Sequence, residues 1–303
     1  MKAVNLFAGI GAFTEGIRKS KIITVEAIDI NPEAASIFNL NHGTGVCVAR
    51  SIDGWLPNCI HFDLMYGCTP TEGWHNPSDQ RRFLNCSFLR VVRETRPQFF
   101  VLGNVKSMLK DSIYHHLIKD FEYQGYITLS PWVMNAADYG VPQDREYVFI
   151  VGHLPNAVAP IMPTPLPLIE QKTAGEALSL PMIPGVSGME LPYHSPSVIQ
   201  RFKECSPDNL EPISNYYKVP YGGLAPRLTP RGRYIHPLHA RILTPRECAR
   251  LQTLPDDYCL HKSKVEAYRQ IADAVPPVMS QYIGDALAVA WNPRRCEGLQ
   301  PRA

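Results

Sequence analysis

Within the first 150 residues, five short apolar runs alternate with segments of helical spacing. AVNLF (3–7), ITVEAID (23–29), FDLMY (62–66), QFFVLG (98–103) and YVFIVG (147–152) have the length and continuity of strands buried on both faces. PEAASIFNLN, DQRRFLNCSFLRVVRETR and YHHLIKDFEYQ between them carry apolar residues at helical intervals. Strand–helix alternation of this kind leaves few architectures open, because helices must cover both faces of a sheet whose neighbouring strands run in parallel. The chain is therefore predicted to be α/β, with a doubly wound, mostly parallel sheet. In such sheets a ligand sits beyond the carboxyl ends of the strands.

From about residue 155 to 240 the character changes. Prolines crowd into LPNAVAPIMPTPLPLIEQ and LSLPMIPG, and periodicity fades. Helical spacing returns in TPRECARLQ and PPVMSQYIGDALAVAW. This pattern predicts a large domain over 1–180, a small irregular one over 181–255, and a helical segment over 256–303 that returns to the large domain. A chain of 303 residues with 45% apolar content has ample material for such a core.

The formal charge of +2 announces no nucleic-acid partner by itself, so any basic footprint is local. No apolar run approaches the ~20 residues of a membrane span. MKAVNLFAGIGAF at the N-terminus is apolar but glycine-studded, and is expected to form a buried strand and turn rather than a signal peptide. Eight scattered cysteines without a CxxC pair point to a reducing cytoplasm rather than to disulfides or a structural metal.

Two loops carry candidate chemistry. In NLFAGIGAFTEGI, Gly9 and Gly11 follow the first strand and precede a helix, where backbone N–H groups can approach a ligand. The spacing to Gly16 departs from GxGxxG. Asp29 ends the second strand, placed either to accept from ribose hydroxyls or to cap the helix that begins at Asn31-Pro32. The second loop, YGCTPTEGW, closes the run FDLMY and holds Thr71 at its centre.

These segments resemble, in order, the motifs of the cytosine-C5 DNA methyltransferases. FAGIGAF resembles their S-adenosylmethionine loop, EAIDINPEAASIFNLNH the segment after it, and DLMYGCTPTEGW the nucleophile loop. VLGNV resembles the motif written ENV, and GVPQDREYVFIVG the Gln-x-Arg-x-Arg strand. RILTPRECARLQTLPDDY and YRQIADAVPPVMSQYIGDAL match the two C-terminal motifs. The similarity runs from residue 5 to residue 287. Only about 180–225 is unmatched, where the family has its variable target-recognition region. The resemblance implies the Rossmann-like methyltransferase fold with S-adenosylmethionine or S-adenosylhomocysteine held by Phe7, Ala8, Gly9, Gly11, Asp29, Ile30, Pro70 and Asp273. It puts Thr71, Glu72 and Arg145 at catalytic positions and Gln143 at a DNA-facing one.

The departures from the family pattern matter as much. Family chemistry uses a Cys thiolate to attack a flipped cytosine, an acid to steady its N3 and an arginine to hold its O2. The resemblance puts Thr71 at the position of that Cys, Glu72 at the following Gln, Gly103 at the Glu of ENV and Tyr147 at the second Arg; Ala272-Asp273 replaces the usual Gly-Asn. A Thr hydroxyl needs an adjacent base to act as a nucleophile. Cys68 lies three residues earlier, up to ~10 Å away in an extended loop, and is expected to be a small buried residue.

APRLTPRGRYIHPLHARILTPRECAR carries six arginines against one glutamate. Arg227, Arg231 and Arg233, together with Arg241, are candidates for phosphate contact. TPREC is also a strong helix start, with Thr244 as N-cap and Glu247 three residues on, so Arg246 and Arg250 are expected to be structural. His75 follows the nucleophile loop, and His115-His116 are expected to cap a helix or face solvent. Three functions are compatible with this sequence: a cofactor-binding enzyme of altered chemistry, a catalytically inactive DNA-binding partner of an active methyltransferase subunit, and a cofactor sensor.

Overall fold

The computed structural model describes residues 1–59, 61–70 and 80–291, without the side chain of Arg82. Thr71, Glu72 and His75 lie outside the described residues.

The sheet is built from β1 (Lys2–Leu6), β2 (Ile23–Asp29), β3 (Cys47–Ala49), β4 (Leu64–Cys68), β5 (Phe99–Asn104), β6 (Ile127–Thr128), β7 (Trp132–Asn135) and β8 (Glu146–His153). Its order is β3-β2-β1-β4-β5-β8-β6, with β7 also paired to β8. The pairings from β3 through β5 are parallel, whereas β8 runs antiparallel to β5, β6 and β7. All five strands expected from the apolar runs form. The short strands β3, β6 and β7 were not expected, since two to four residues hold no periodicity.

Both faces of the sheet are covered, which is why its strands are apolar at successive positions. On one face Phe99 and Val101 join Phe13 and Ile17 of α1 (Ala12–Lys19). On the other face Phe100 and Leu102 pack against α3 (Leu84–Thr95) and α4 (Ser112–Tyr123), through Phe88, Val91, Val92, Leu117 and Phe121. Between them in the chain, α2 (Pro32–His42) follows β2, with Asn31 capping it by accepting from the Glu33 and Ala34 amides.

Beyond β8 come α5 (Ala174–Leu178), α6 (Pro196–Glu204) and the paired two-residue strands β9 (Tyr217–Lys218) and β10 (Tyr234–Ile235). They are followed by α7 (Pro245–Leu251), α8 (Lys264–Asp273) and α9 (Pro277–Ala290). α7 opens with the capping box read from the sequence. α9 returns to the sheet, laying Met279, Ile283 and Leu287 into the core beside α1.

Candidate cofactor and acceptor cleft

A cavity of about 400 Å³ opens at the carboxyl ends of β1, β2 and β4, the place the sheet topology predicts. Phe7, Ala8, Gly9, Asp29, Ile30, Pro70 and Asp273 all line it, as does Arg145. Its volume is within the range of small-ligand sites.

The first wall is the turn between β1 and α1. Phe7 (φ +55), Gly9 (φ +54) and Gly11 (φ +90) all adopt left-handed backbone, and for Phe7 this costs about 1–3 kcal/mol. That strain is held in place by specific bonds. The Ala8 amide donates to the Ile28 carbonyl at 3.0 Å, and the Gly9 amide to the Asp29 carboxylate at 2.7 Å. Asp29 also accepts from the Asn31 amide at 2.8 Å. Burial raises the Asp29 carboxyl above its ordinary range, opposed by those two backbone donors. A carboxylate has about four acceptor positions, so this acid can both brace the loop and receive further donors.

Gly11 is the one expected cofactor residue that does not line the cavity. It is packed behind it, where a side-chain carbon would come within 2.5 Å of the His42 ring. The His42 Nε2 lies 3.0 Å from both the Gly11 carbonyl and the Tyr258 hydroxyl, and Tyr258 donates to the Ile10 carbonyl at 2.6 Å. Burial lowers the His42 pKa, which favours a neutral ring between these partners. The glycine requirement at Gly11 therefore comes from packing as well as from φ.

Arg50, Ser51, Ile52 and Asp53, which line the cavity just after β3, carry no motif that marks them in the sequence. Arg269 and Gln270 of α8 are further unexpected lining residues. Asn5 also lines the cavity; it is buried, donates to Thr14 Oγ1 at 2.9 Å, and its Oδ1 has no partner. An orphaned buried acceptor beside a cavity is what a ligand N–H group would satisfy. Together with Asp29 and the cavity volume, it makes the residues present a fit for a nucleoside bearing an amino-acid tail.

At the β4 end, Thr69 Oγ1 donates to Asn85 Oδ1 at 2.8 Å and accepts from Asn104 Nδ2 at 2.6 Å. This buried network fixes the point from which the Thr71 loop departs. Cys68, half-buried and lining the cavity, stands opposite Gly103 in the β4–β5 register. A Cβ on Gly103 would lie 3.0 Å from the Phe149 ring and 3.4 Å from Cys68 Cβ. Arg145 is buried, donates to the Ala272 carbonyl at 2.6 Å, and its guanidinium sits 4.6 Å from the centre of the Tyr147 ring.

The basic segment divides. Arg227, Arg231 and Arg233 are exposed. Arg241 instead forms a two-pronged bond to the buried Glu247, at 2.8 and 2.7 Å. Gln143 is fully buried beside Ala225, and both polar atoms of its carboxamide lack partners. Neither Arg241 nor Gln143 shares the exposed surface of the other three. Arg246 is fully buried and binds the carbonyls of Ser187, Pro255 and Tyr258, while Arg250 binds those of Leu180 and Pro181 together with Asp256. Both are structural residues, as the helix-start pattern suggested.

The family model for C-5 cytosine-specific DNA methylases matches residues 1–186 and 194–288. The chain is 28% identical to the type II methyltransferase M.XorII of Xanthomonas oryzae pv. oryzae, over 95% of this chain and 84% of that one. It is 32% identical to M.NgoFVII of Neisseria gonorrhoeae, over 91% and 83%. Among solved structures it superposes on a DNA modification methyltransferase encoded within an E. coli prophage, with a TM-score of 0.86 at 24% identity, covering 96% of this chain and 99% of that one. The S. pombe Dnmt2 methyltransferase superposes with a TM-score of 0.71 at 16% identity, over 96% and 98%. S-adenosylmethionine or S-adenosylhomocysteine is the cofactor expected of such a family. By motif order, by match along nearly the whole chain and by fold, this protein belongs to the C-5 cytosine-specific DNA methylase family.

Proposed function

We propose that this chain binds S-adenosylmethionine and DNA but does not carry out ordinary covalent C5 methylation. The observation that carries this reading is the contrast between two halves of one cleft. Seven residues expected to hold the cofactor line a single cavity. The positions expected to attack and hold the cytosine carry Thr71, Gly103 and Tyr147. The bound cofactor would supply an electrophilic methyl group. What is missing is a thiolate to make the cytosine C5 nucleophilic. Tyr147 does not take over the arginine's task, because its hydroxyl is buried and donates to the Ala274 carbonyl at 3.0 Å. Gly103 has no side chain to offer, and the Phe149 ring crowds the space above it.

Exposed Arg227, Arg231 and Arg233 support contact with the phosphate backbone. Simultaneous loss of the nucleophile and both electrostatic helpers favours a DNA-binding partner of an active methyltransferase over an enzyme of altered chemistry. Such a role belongs in the cytoplasm or on the nucleoid; among the described residues no helix is long and apolar enough to cross a membrane.

Calorimetry with S-adenosylmethionine and S-adenosylhomocysteine, followed by transfer assays on defined duplexes, tests the proposal. Binding without 5-methylcytosine is expected. Methyl transfer to C5 by the purified chain would overturn the catalytic part, and failure to bind either ligand would overturn the cofactor part.

A further inference from the structure

The turn between β1 and α1 is tied on two sides. Toward the cavity, the Ala8 and Gly9 amides are bonded to Ile28 and Asp29. Behind it, the carbonyls of Ile10 and Gly11 are each met by a side chain from a distant part of the chain. The Tyr258 hydroxyl donates to Ile10 at 2.6 Å, and His42 Nε2 lies 3.0 Å from the Gly11 carbonyl and from that same hydroxyl. Since the tyrosine proton points to Ile10, the hydroxyl can only accept from the ring. Nε2 therefore carries a hydrogen and donates to both oxygens, which fixes the tautomer of His42.

Both side chains are themselves held. Tyr258 is 3% exposed, and its carbonyl accepts from Arg246 Nη2 at 2.6 Å. Asn41, the neighbour of His42 at the end of α2, exchanges two bonds with the backbone of Cys259. The Cys259 amide donates to Asn41 Oδ1 at 2.8 Å, and Asn41 Nδ2 donates to the Cys259 carbonyl at 3.1 Å. The end of α2 and residues 258–259 thus form one brace behind the turn. Neither His42 nor Tyr258 lines the cavity, whereas Gly9, Ile10 and Ala12 do.

Phe7, Gly9 and Gly11 are all left-handed, and a non-glycine residue keeps such a backbone only where its surroundings leave it no alternative. A ligand that had to select this shape from others would lose affinity in proportion to the time the turn spends elsewhere. We propose that His42 and Tyr258 are positioning residues, which hold the turn in its cofactor-binding shape from the side that the cofactor does not touch. This rests on the cofactor reading above and deepens it. Affinity at the front of the turn is set by groups behind it, one of them 248 residues away from the carbonyl it holds.

The test reads ligand and turn separately, on the full chain. Calorimetric titration with S-adenosylhomocysteine gives the affinity, and hydrogen–deuterium exchange of the ligand-free protein gives the opening of the turn. Tyr258→Phe deletes one hydroxyl and should weaken binding about threefold to tenfold, the scale of one hydrogen bond. His42→Phe keeps a ring against Phe38 but removes the donor, and should weaken binding by a similar factor. His42→Gln keeps an N–H donor of comparable reach and should stay within about twofold of the unmutated chain. Because the two groups bond each other, the double variant Tyr258→Phe/His42→Phe should lose less than the product of the single losses. In each weakened variant, exchange should rise at the amides from Ala8 to Thr14 and stay unchanged in β5. Tyr126→Phe is the control: it removes another hydroxyl bonded to a carbonyl, that of Pro97 at 2.7 Å, from a residue that does not line the cavity. It should leave affinity and turn exchange intact.

Unchanged affinity in Tyr258→Phe, or unchanged exchange at the turn, overturns the proposal. So does a rise in exchange spread over the whole sheet, or a loss in His42→Gln as large as in His42→Phe. Either would make the two residues supports of the fold only. Failure of the unmutated chain to bind S-adenosylhomocysteine sinks the cofactor reading instead, and the exchange data still decide whether the brace holds the turn.

Discussion

Gly103, at the position the resemblance gives to the Glu of ENV, is hemmed in by its neighbours. With the Phe149 ring crowding a side chain there and Cys68 Cβ in contact beside it, placing a glutamate at this position means inserting a charged group into a tight space. Gly103→Glu is expected to lower the unfolding free energy by about 2–4 kcal/mol. Adding Cys68→Gly should recover at least about 1 kcal/mol of it. Urea titrations of the two single variants and the double variant read this coupling, and strict additivity would show that Cys68 is not the obstacle. Arg246 makes the complementary case of a cation that is structural. Arg246→Met strands the carbonyls of Ser187, Pro255 and Tyr258, and should cost about 3 kcal/mol or more by the same measurement. The sequence itself separated Arg246 from the exposed arginines, because TPREC reads as a helix start. It gave no such warning for Arg241, whose partner Glu247 is recognisable only once the turn at His236–Arg241 is folded. Nor could it reveal the hydrogen bond of Tyr147, whose acceptor is a carbonyl 127 residues away.

At the level of elements, the five main strands and the large helices could be read from period and length, and their order placed the cleft. What escaped was short or directionless. β3 has three residues, CVA, and missing it meant missing the cavity wall at Ser51–Asp53. The antiparallel course of β8 could not be read either, since YVFIVG is equally apolar in either direction. Helix packing was visible only as apolar faces, although glycines allow the close approach of α1 and α9. A methyl group on Gly16 of α1 would run into the backbone carbonyl of Pro277 at the start of α9, and into Ser280 beside it. Gly16→Ala improves intrinsic helix propensity by about 1 kcal/mol, yet should destabilise the protein by about 1–3 kcal/mol through overpacking. Thermal unfolding decides which effect wins. A raised Tm would mean that α1 and α9 can separate without penalty.

Over the whole molecule, the charges that hold the C-terminal half together and those offered to a partner respond to different variables. Burial pushes the buried His236 down to about 4, so it is neutral in the folded state at neutral pH. Unfolded, it would titrate near its usual ~6.5. A depressed histidine contributes stability that is complete above the unfolded value and is lost as pH falls through the window from 6.5 towards 4. The loss is about 3 kcal/mol at most. Glu247, held below the usual carboxylate range by Arg241 against its desolvation, should add a further loss at lower pH. His236→Gln is expected to flatten the first part of the profile and leave the second.

The partner-facing charges should answer to salt. Each phosphate neutralised on duplex DNA steepens the dependence of log affinity on log salt by about 0.9. If exposed Arg227, Arg231 and Arg233 each meet one phosphate, single alanine variants should each flatten that slope by roughly one. Their effect on unfolding should be small, since surface substitutions usually stay within about 0.5 kcal/mol. Arg241→Ala should do the reverse, with unfolding made easier because Glu247 is left buried without its guanidinium partner, and the salt slope unchanged. A slope that falls in Arg241→Ala but not in the other three variants would move the DNA contact away from this loop. The division between exposed and buried arginines would then describe the fold alone.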